Sequence, residues 1–157
     1  MNPVKNLVST HIFTLKVKSC KEPEFIDITT KVEGFLQKSG VLNGFVVVFS
    51  KDTTAAITIQ ENEPLLIEDM CEMIGRMAPK RLNYRHNDFA VRTVNMHEDE
   101  CPNGHSHCQH ITLGSSEYIP VIDGNLALGK WQSIFMVELD ENAPVPNREI
   151  LIQILGS

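Results

Sequence analysis

No apolar run in this 157-residue chain approaches the roughly 20 residues that cross a bilayer. The opening MNPVKNLVSTHIFTL also lacks the continuous apolar segment of a secretory signal. A cytoplasmic protein without membrane partners is the expectation. Cysteine is scarce: Cys20, Cys71, Cys101 and Cys108 are too few for a disulfide scaffold and form no CxxC pair, so reduced thiols are expected. Positive charge is short as well. Fourteen Lys and Arg face 20 Asp and Glu, a net charge of −6 that lacks the field required by phosphate backbones and argues against generic nucleic-acid binding. The chain shows no internal repeat, low-complexity tract, Gly-rich phosphate loop or nucleotide fingerprint, and no Ser-His-Asp spacing that points to nucleophilic catalysis.

What is present is an ordinary globular mixture, 42% hydrophobic and 22% charged, in a length that suits one domain over residues 1–157. His11 to Val17 alternates with Phe13, Leu15 and Val17 on one side, the period of a half-buried strand. Thr30 and Glu33 match a capping box for a short helix that ends at Ser39-Gly40. Gly44 to Phe49 is apolar on both faces and reads as a central strand covered on two sides, and Ala56 to Gln60 alternates again. Pro64 suits a helix start, and Leu66, Ile67, Met70, Met73, Ile74 and Met77 form a stripe by which that helix packs before stopping ahead of Pro79. Ordinary core filling explains the methionines.

Lys80 to His107 has no clear period and reads as a loop. Strands follow at Ile111–Gly114, Glu117–Val121, Asn125–Leu128, Ser133–Leu139 and Glu149–Leu155, with turns at Asp123-Gly124-Asn125 and around Pro144 and Pro146. Two main helices and about eight strands that do not alternate regularly predict an α+β fold on a mostly antiparallel sheet.

Four of the six histidines fall between His97 and His110, which raises metal ligation. In an extended segment His105 and His107 project from one face and share an ion, with Cys108 pointing the other way. A solvated His-rich loop explains the density equally well, and the spacing fits no standard zinc finger. Three further groups stand out: Lys51 to Ala56 between two strands, Tyr84 to Asp88, and Gly129-Lys130-Trp131-Gln132 with Glu138 and Arg148. Trp131 reads most simply as a packing anchor.

Taken together, Asp52-Thr53-Thr54-Ala55-Ala56-Ile57, Glu61-Asn62, Asp69-Met70, Tyr84-x-His86, Asn103-Gly104-x-Ser106-His107, Leu113-Gly114, Ile119-Pro120-Val121, Asp123-Gly124-x-Leu126, Gly129-x-Trp131-Gln132, Glu138 and Arg148 resemble the YjbQ-like family. That family is often labelled secondary thiamine-phosphate synthase. The resemblance spans nearly the whole chain. It implies an α+β domain that assembles as a homotrimer, with a histidine-lined pocket near the subunit boundary that holds a divalent metal, zinc or magnesium, beside a small phosphorylated molecule.

On this resemblance the metal residues are His86 and His107, with His105 next to the latter and Asp52 where the family pattern has the histidine of a His-Thr-Thr-Ala-Ala segment. Asp52 serves either as a carboxylate ligand or as an acceptor that orients a histidine. The implied reaction joins a pyrimidine diphosphate to a thiazole phosphate as pyrophosphate departs, which calls for a divalent cation and basic side chains at the leaving group. Glu61 and Asp69 are candidate bases or magnesium ligands, and Arg148, with Lys51 and Arg85, a candidate oxyanion contact. The alternatives are a metal-dependent hydrolase and a binding protein without catalysis.

Overall fold

The computed structural model describes residues 8–143 and 147–157. The expected turn around Pro144 and Pro146 lies outside them. In chain order the elements are β1 (Ser9–Val17), β2 (Glu24–Asp27), α1 (Thr29–Ser39), β3 (Gly44–Ser50), β4 (Ala55–Glu61), α2 (Pro64–Met77), a 3-10 turn (Arg85–Asn87), α3 (Gly104–Leu113), β5 (Ser116–Ile122), β6 (Asn125–Leu126), β7 (Gln132–Glu138) and β8 (Arg148–Gly156). The fold is α+β, as expected, and every strand pairing is antiparallel. Among the described residues no helix is long and apolar enough to cross a membrane.

The strands form two sheets, one of five in the order β1-β8-β3-β5-β6 and one of three in the order β2-β7-β4. Strand alternation explains how they meet. Val46, Val48, Ile119, Ile150, Ile152 and Ile154 turn from the larger sheet toward Ala55, Ile57, Ile134 and Met136 of the smaller, and Ile28, Val32 and Leu36 of α1 close the same core. On its other face the smaller sheet presents Ala56, Phe135 and Val137 to Ile67 and Ile74 of α2 and Leu113 of α3.

Several local expectations give way to tertiary forces. The expected capping box is not used: the Thr29 amide donates to Oδ1 of Asp27, two residues ahead of the first helical residue, at 2.8 Å. The α2 stripe packs through Ile67 and Ile74, whereas Met73 and Met77 are exposed. Glu63, not Pro64 alone, starts that helix, since its carboxylate accepts from the amides of Leu65 and Leu66. Strand β3 is covered on one side only, leaving Phe45 and Phe49 exposed. Trp131 is exposed with Lys130 Nζ 4.5 Å from its ring, so it is not a packing anchor in this chain.

The largest departure is α3. Ile111 to Gly114 is not a strand but the helix's end, and Ile111 points to solvent. Gly104, His105, Ser106 and Gln109 form the buried face, so this helix carries almost no apolar period. Polar bonds hold it: Asn87 Oδ1 accepts from the Gly104 amide at 2.9 Å, and Gln109 Nε2 donates to the carbonyl of Ala78 at 3.0 Å. Gly104 itself is required, because a Cβ there would lie 2.5 Å from Tyr84 Cβ.

These placements predict opposite outcomes for two isoleucines. Ile152→Ala, in the fully buried centre of β8, costs about 2–5 kcal/mol in urea denaturation, while Ile111→Ala stays within about 0.5 kcal/mol. An equal loss at both positions would return Ile111 to a buried strand.

Candidate active site

Sheet ends and loops meet around a cavity of about 440 Å³. The turn between β3 and β4 supplies Asp52, Thr53 and Thr54, the long connection after α2 supplies His86 and Arg92, and α3 with the residue ahead of it supplies His107 and Asn103. Asp140, just past β7, and Arg148, at the start of β8, complete the floor. Sequence-distant loops thus converge where the strands end, a common place for a site on a rigid scaffold.

Two imidazoles lie against each other. The 3-10 turn carries His86 to His107 of α3 with ring centroids 4.6 Å apart and the planes at 69°. His86 Nε2 is buried with no hydrogen-bond partner. Burial first, and the nearness of His86 second, hold His107 below the usual imidazole pKa, so it is neutral and its lone pair is available. His105 goes elsewhere. Helical positions two apart are about 200° apart around the axis, so the shared face expected of an extended segment does not exist. His105 is buried on the far side, with Nε2 3.1 Å from Glu22 Oε1. Lys80 also pairs with that carboxylate.

Beneath the cavity lies a buried ion pair. Arg148 Nε donates to Glu138 Oε2 at 2.8 Å and Nη2 to Oε1 at 2.5 Å, while Nη2 also reaches Thr54 Oγ1 at 3.1 Å and the Asp140 carbonyl at 3.3 Å. Nη1 donates to Asp52 Oδ1 at 3.3 Å. Burial alone would raise the Glu138 pKa, but bonds from Arg148, Ser19 and the Asp140 amide outweigh it and leave the carboxyl below its usual range. Asp52 thus shares the cavity lining with His86 and His107 while its Oδ1 meets Arg148. Asn103 donates to Asp140 Oδ2 at 2.8 Å, which leaves its own Oδ1 buried without a partner.

The remaining candidates are scattered. Glu61 and Asp69 are exposed and do not line the cavity. Lys51 is exposed and paired with Glu149, and Arg85 lines an adjoining, more open hollow that shares His86, Arg92 and Asn95 with the cavity. The structure adds Arg92 and Asp140, neither singled out by sequence, and gives a place to Asn103, which the sequence marked only as the start of a family motif. Arg92 is engaged by Glu100 at 3.0 Å.

Around the cavity Asp52, Asp99, Glu100 and Asp140 outnumber Arg92 and Arg148, so its electrostatics favour a cation. Among the described residues no three His, Cys, Asp or Glu side chains converge into a finished ligand set. The paired imidazoles and the unpartnered His86 nitrogen nevertheless fit a divalent ion held on one side by two nitrogens, with its other positions open. A closed structural metal centre does not fit.

Comparison with known proteins places the chain in company. Residues 13–157 match the family described as UPF0047 protein YjbQ-like. A UPF0047 protein of Methanothermobacter thermautotrophicus is 39% identical over 142 residues, covering 90% of each chain. YugU of Bacillus subtilis is 35% identical over 128 residues, covering 81% of this chain and 88% of the relative. Among solved structures, a YbjQ-like protein of unknown function from Sulfolobus solfataricus superposes with a TM-score of 0.84 at 32% identity, covering 96% of this chain and all of the other. An uncharacterised YjbQ/UPF0047 family protein from Clostridium acetobutylicum gives 0.76 at 31% identity, covering 90% and 98%.

The buried pair generates a stability prediction. Glu138→Ala leaves the buried Arg148 charge with only its single 3.3 Å carboxylate contact, to Asp52, and costs about 3–5 kcal/mol, whereas Lys51→Ala, at an exposed pair, produces no measurable loss. A carboxyl with a lowered folded-state pKa stabilises fully above the unfolded value of about 4.3 and loses that contribution as pH falls through the folded value. Urea denaturation between pH 7 and 3 should therefore show a steeper loss in the parent than in Glu138→Gln, and equal slopes would count against the pairing.

Proposed function

The chain belongs to the YjbQ-like UPF0047 family, and from that premise we propose that it is a divalent-cation-dependent enzyme acting on a small phosphorylated molecule. The specific reaction is the condensation of a pyrimidine diphosphate with a thiazole phosphate to give thiamine phosphate and pyrophosphate. The observation that carries the cation dependence is the pairing of His86 and His107 at a cavity richer in carboxylates than in guanidiniums. The choice of reaction rests on the family resemblance.

In this reading His86 and His107 would hold the cation, which would offset charge on a departing pyrophosphate. Thr54 and the Asp140 carbonyl help fix the guanidinium of Arg148 in place, and Asn103 holds Asp140 at the wall. The orphaned Asn103 Oδ1 accepts a hydrogen bond from a ligand donor or water in the occupied site. Metal-assisted hydrolysis is the second reading. It is favoured by the fact that Arg148 and Arg92 are both already paired with carboxylates, which leaves little uncommitted positive charge for a leaving group.

Self-association belongs to the same reading, with the homotrimer resting on the resemblance. Ile12, Phe45, Phe49, Tyr118 and Ile122 share the uncovered face of the five-stranded sheet and are all exposed, and a second copy is the occupant that buries them. Light scattering should return three times the 17.7 kDa chain mass, and a monomer would contradict it.

Metal analysis and genetic complementation test the activity together. The parent should carry a divalent ion that His107→Ala and His86→Ala lose, and should restore growth to a thiamine auxotroph that neither variant rescues. Metal-loaded parent that hydrolyses phosphate esters without rescuing growth would establish the second reading. Equal metal content in parent and variants would refute the site.

A further inference from the structure

Arg148 is held unequally. Its Nε and Nη2 close on Glu138 through two short bonds in a setting where Glu138 is 1% exposed, whereas Nη1 meets Asp52 through one contact of 3.3 Å and the Asp52 side chain is 27% exposed. The Glu138 edge of the guanidinium is therefore unavailable to any ligand. The Nη1 edge is the one that an anion in the cavity could reach, and a carboxylate stands on it. Guanidinium and phosphate pair through parallel N–H donors, so a competing carboxylate both occupies a donor and repels the phosphate oxygens.

We propose that Asp52 is a specificity-determining mask over Arg148, so that the cavity accepts a phosphate group only in company with a divalent cation. Selectivity of this kind comes from a repulsive element aimed at the wrong ligand, here the bare anion. With a cation in the cavity the charge on Asp52 would be balanced and a phosphate group admitted. The need for a cation rests on the proposed function, but the mask over Arg148 is a property of Asp52 alone.

Calorimetric titration with inorganic pyrophosphate, with chelator and then with saturating magnesium, tests it. The parent should bind pyrophosphate with magnesium and at least tenfold more weakly with chelator. Asp52→Asn, which keeps the shape and removes the charge, should gain at least tenfold in chelator, while Asp52→Glu stays like the parent. Asp52→Ser gives the same gain as Asn and serves if the Asn variant folds poorly. Asp99→Asn removes a cavity charge away from Arg148 and should gain less than threefold. No gain in Asp52→Asn in chelator, or an equal gain in Asp99→Asn, overturns the mask, and parent binding that is equal with and without magnesium overturns the cation requirement. A parent that binds no magnesium, zinc or manganese defeats the proposed function, and the chelator arm still decides the mask.

Discussion

The ion pair between Glu138 and Arg148 sets the geometry of everything around the cavity. Glu138 closes β7 in the smaller sheet and Arg148 opens β8 in the larger, so one interaction clamps the two sheets where their strands end. Taking both charges out of water is costly, and the cost is offset only because nearly every donor and acceptor of the pair is used. Ser19 donates to Glu138 Oε2 at 2.7 Å, and the amides of Leu139 and Asp140 donate to Oε1. Thr54 and the Asp140 carbonyl share the other Nη2 hydrogen, and Asp52 takes one of the two on Nη1. Side chains that line the cavity are thus tied to a group that cannot move without stranding a buried charge.

A second layer of polar bonds brings the histidines to that floor. Asn87 anchors the start of α3 through the Gly104 amide, and Gly104 leaves room for Tyr84, so the connection after α2 and the helix are locked together. His86 and His107 meet as a result. Asn103 spends its side-chain amide on Asp140 and does not cap its own helix, which links α3 to the segment after β7. Of the three unpartnered buried side-chain atoms among the described residues, His86 Nε2 and Asn103 Oδ1 belong to cavity-lining residues, and His105 Nδ1 lies outside the cavity. Buried polar groups without partners are rare enough that two on one cavity point to a bound species as their complement.

How much of this could be read beforehand follows from the kind of force involved. The long strands β1, β3, β4, β7 and β8 are visible as apolar alternation or runs because burial selects side chains at a period of two. Helix α2 is visible through Pro64 and its period, although packing uses only part of the stripe. Helix α3 is hidden because its buried face is Gly, His, Ser and Gln, held by hydrogen bonds to residues far away in sequence, and no local pattern records such partners. Reading that segment as extended is also what joined His105 to His107. The residues at 52, 86, 107 and 148 were reachable from a many-motif resemblance, and they do line one cavity. Arg92 and Asp140 had no comparable signal, since single polar residues in loops look like any others, and Asn103 was marked only as part of a motif, without a role. Glu61 and Asp69 looked chemical by type but sit on exposed surface.

The proposed function follows from an ion pair that clamps the fold beside a carboxylate-rich cavity and two adjoining imidazoles. The most direct test is an anomalous-scattering map from crystals soaked in manganese or zinc. A peak within coordinating distance of both His86 and His107, facing the cavity, is the expected result. A map with no peak there, or with the ion bound at other histidines such as His97 and His110 while those two rings stay bare, would contradict it.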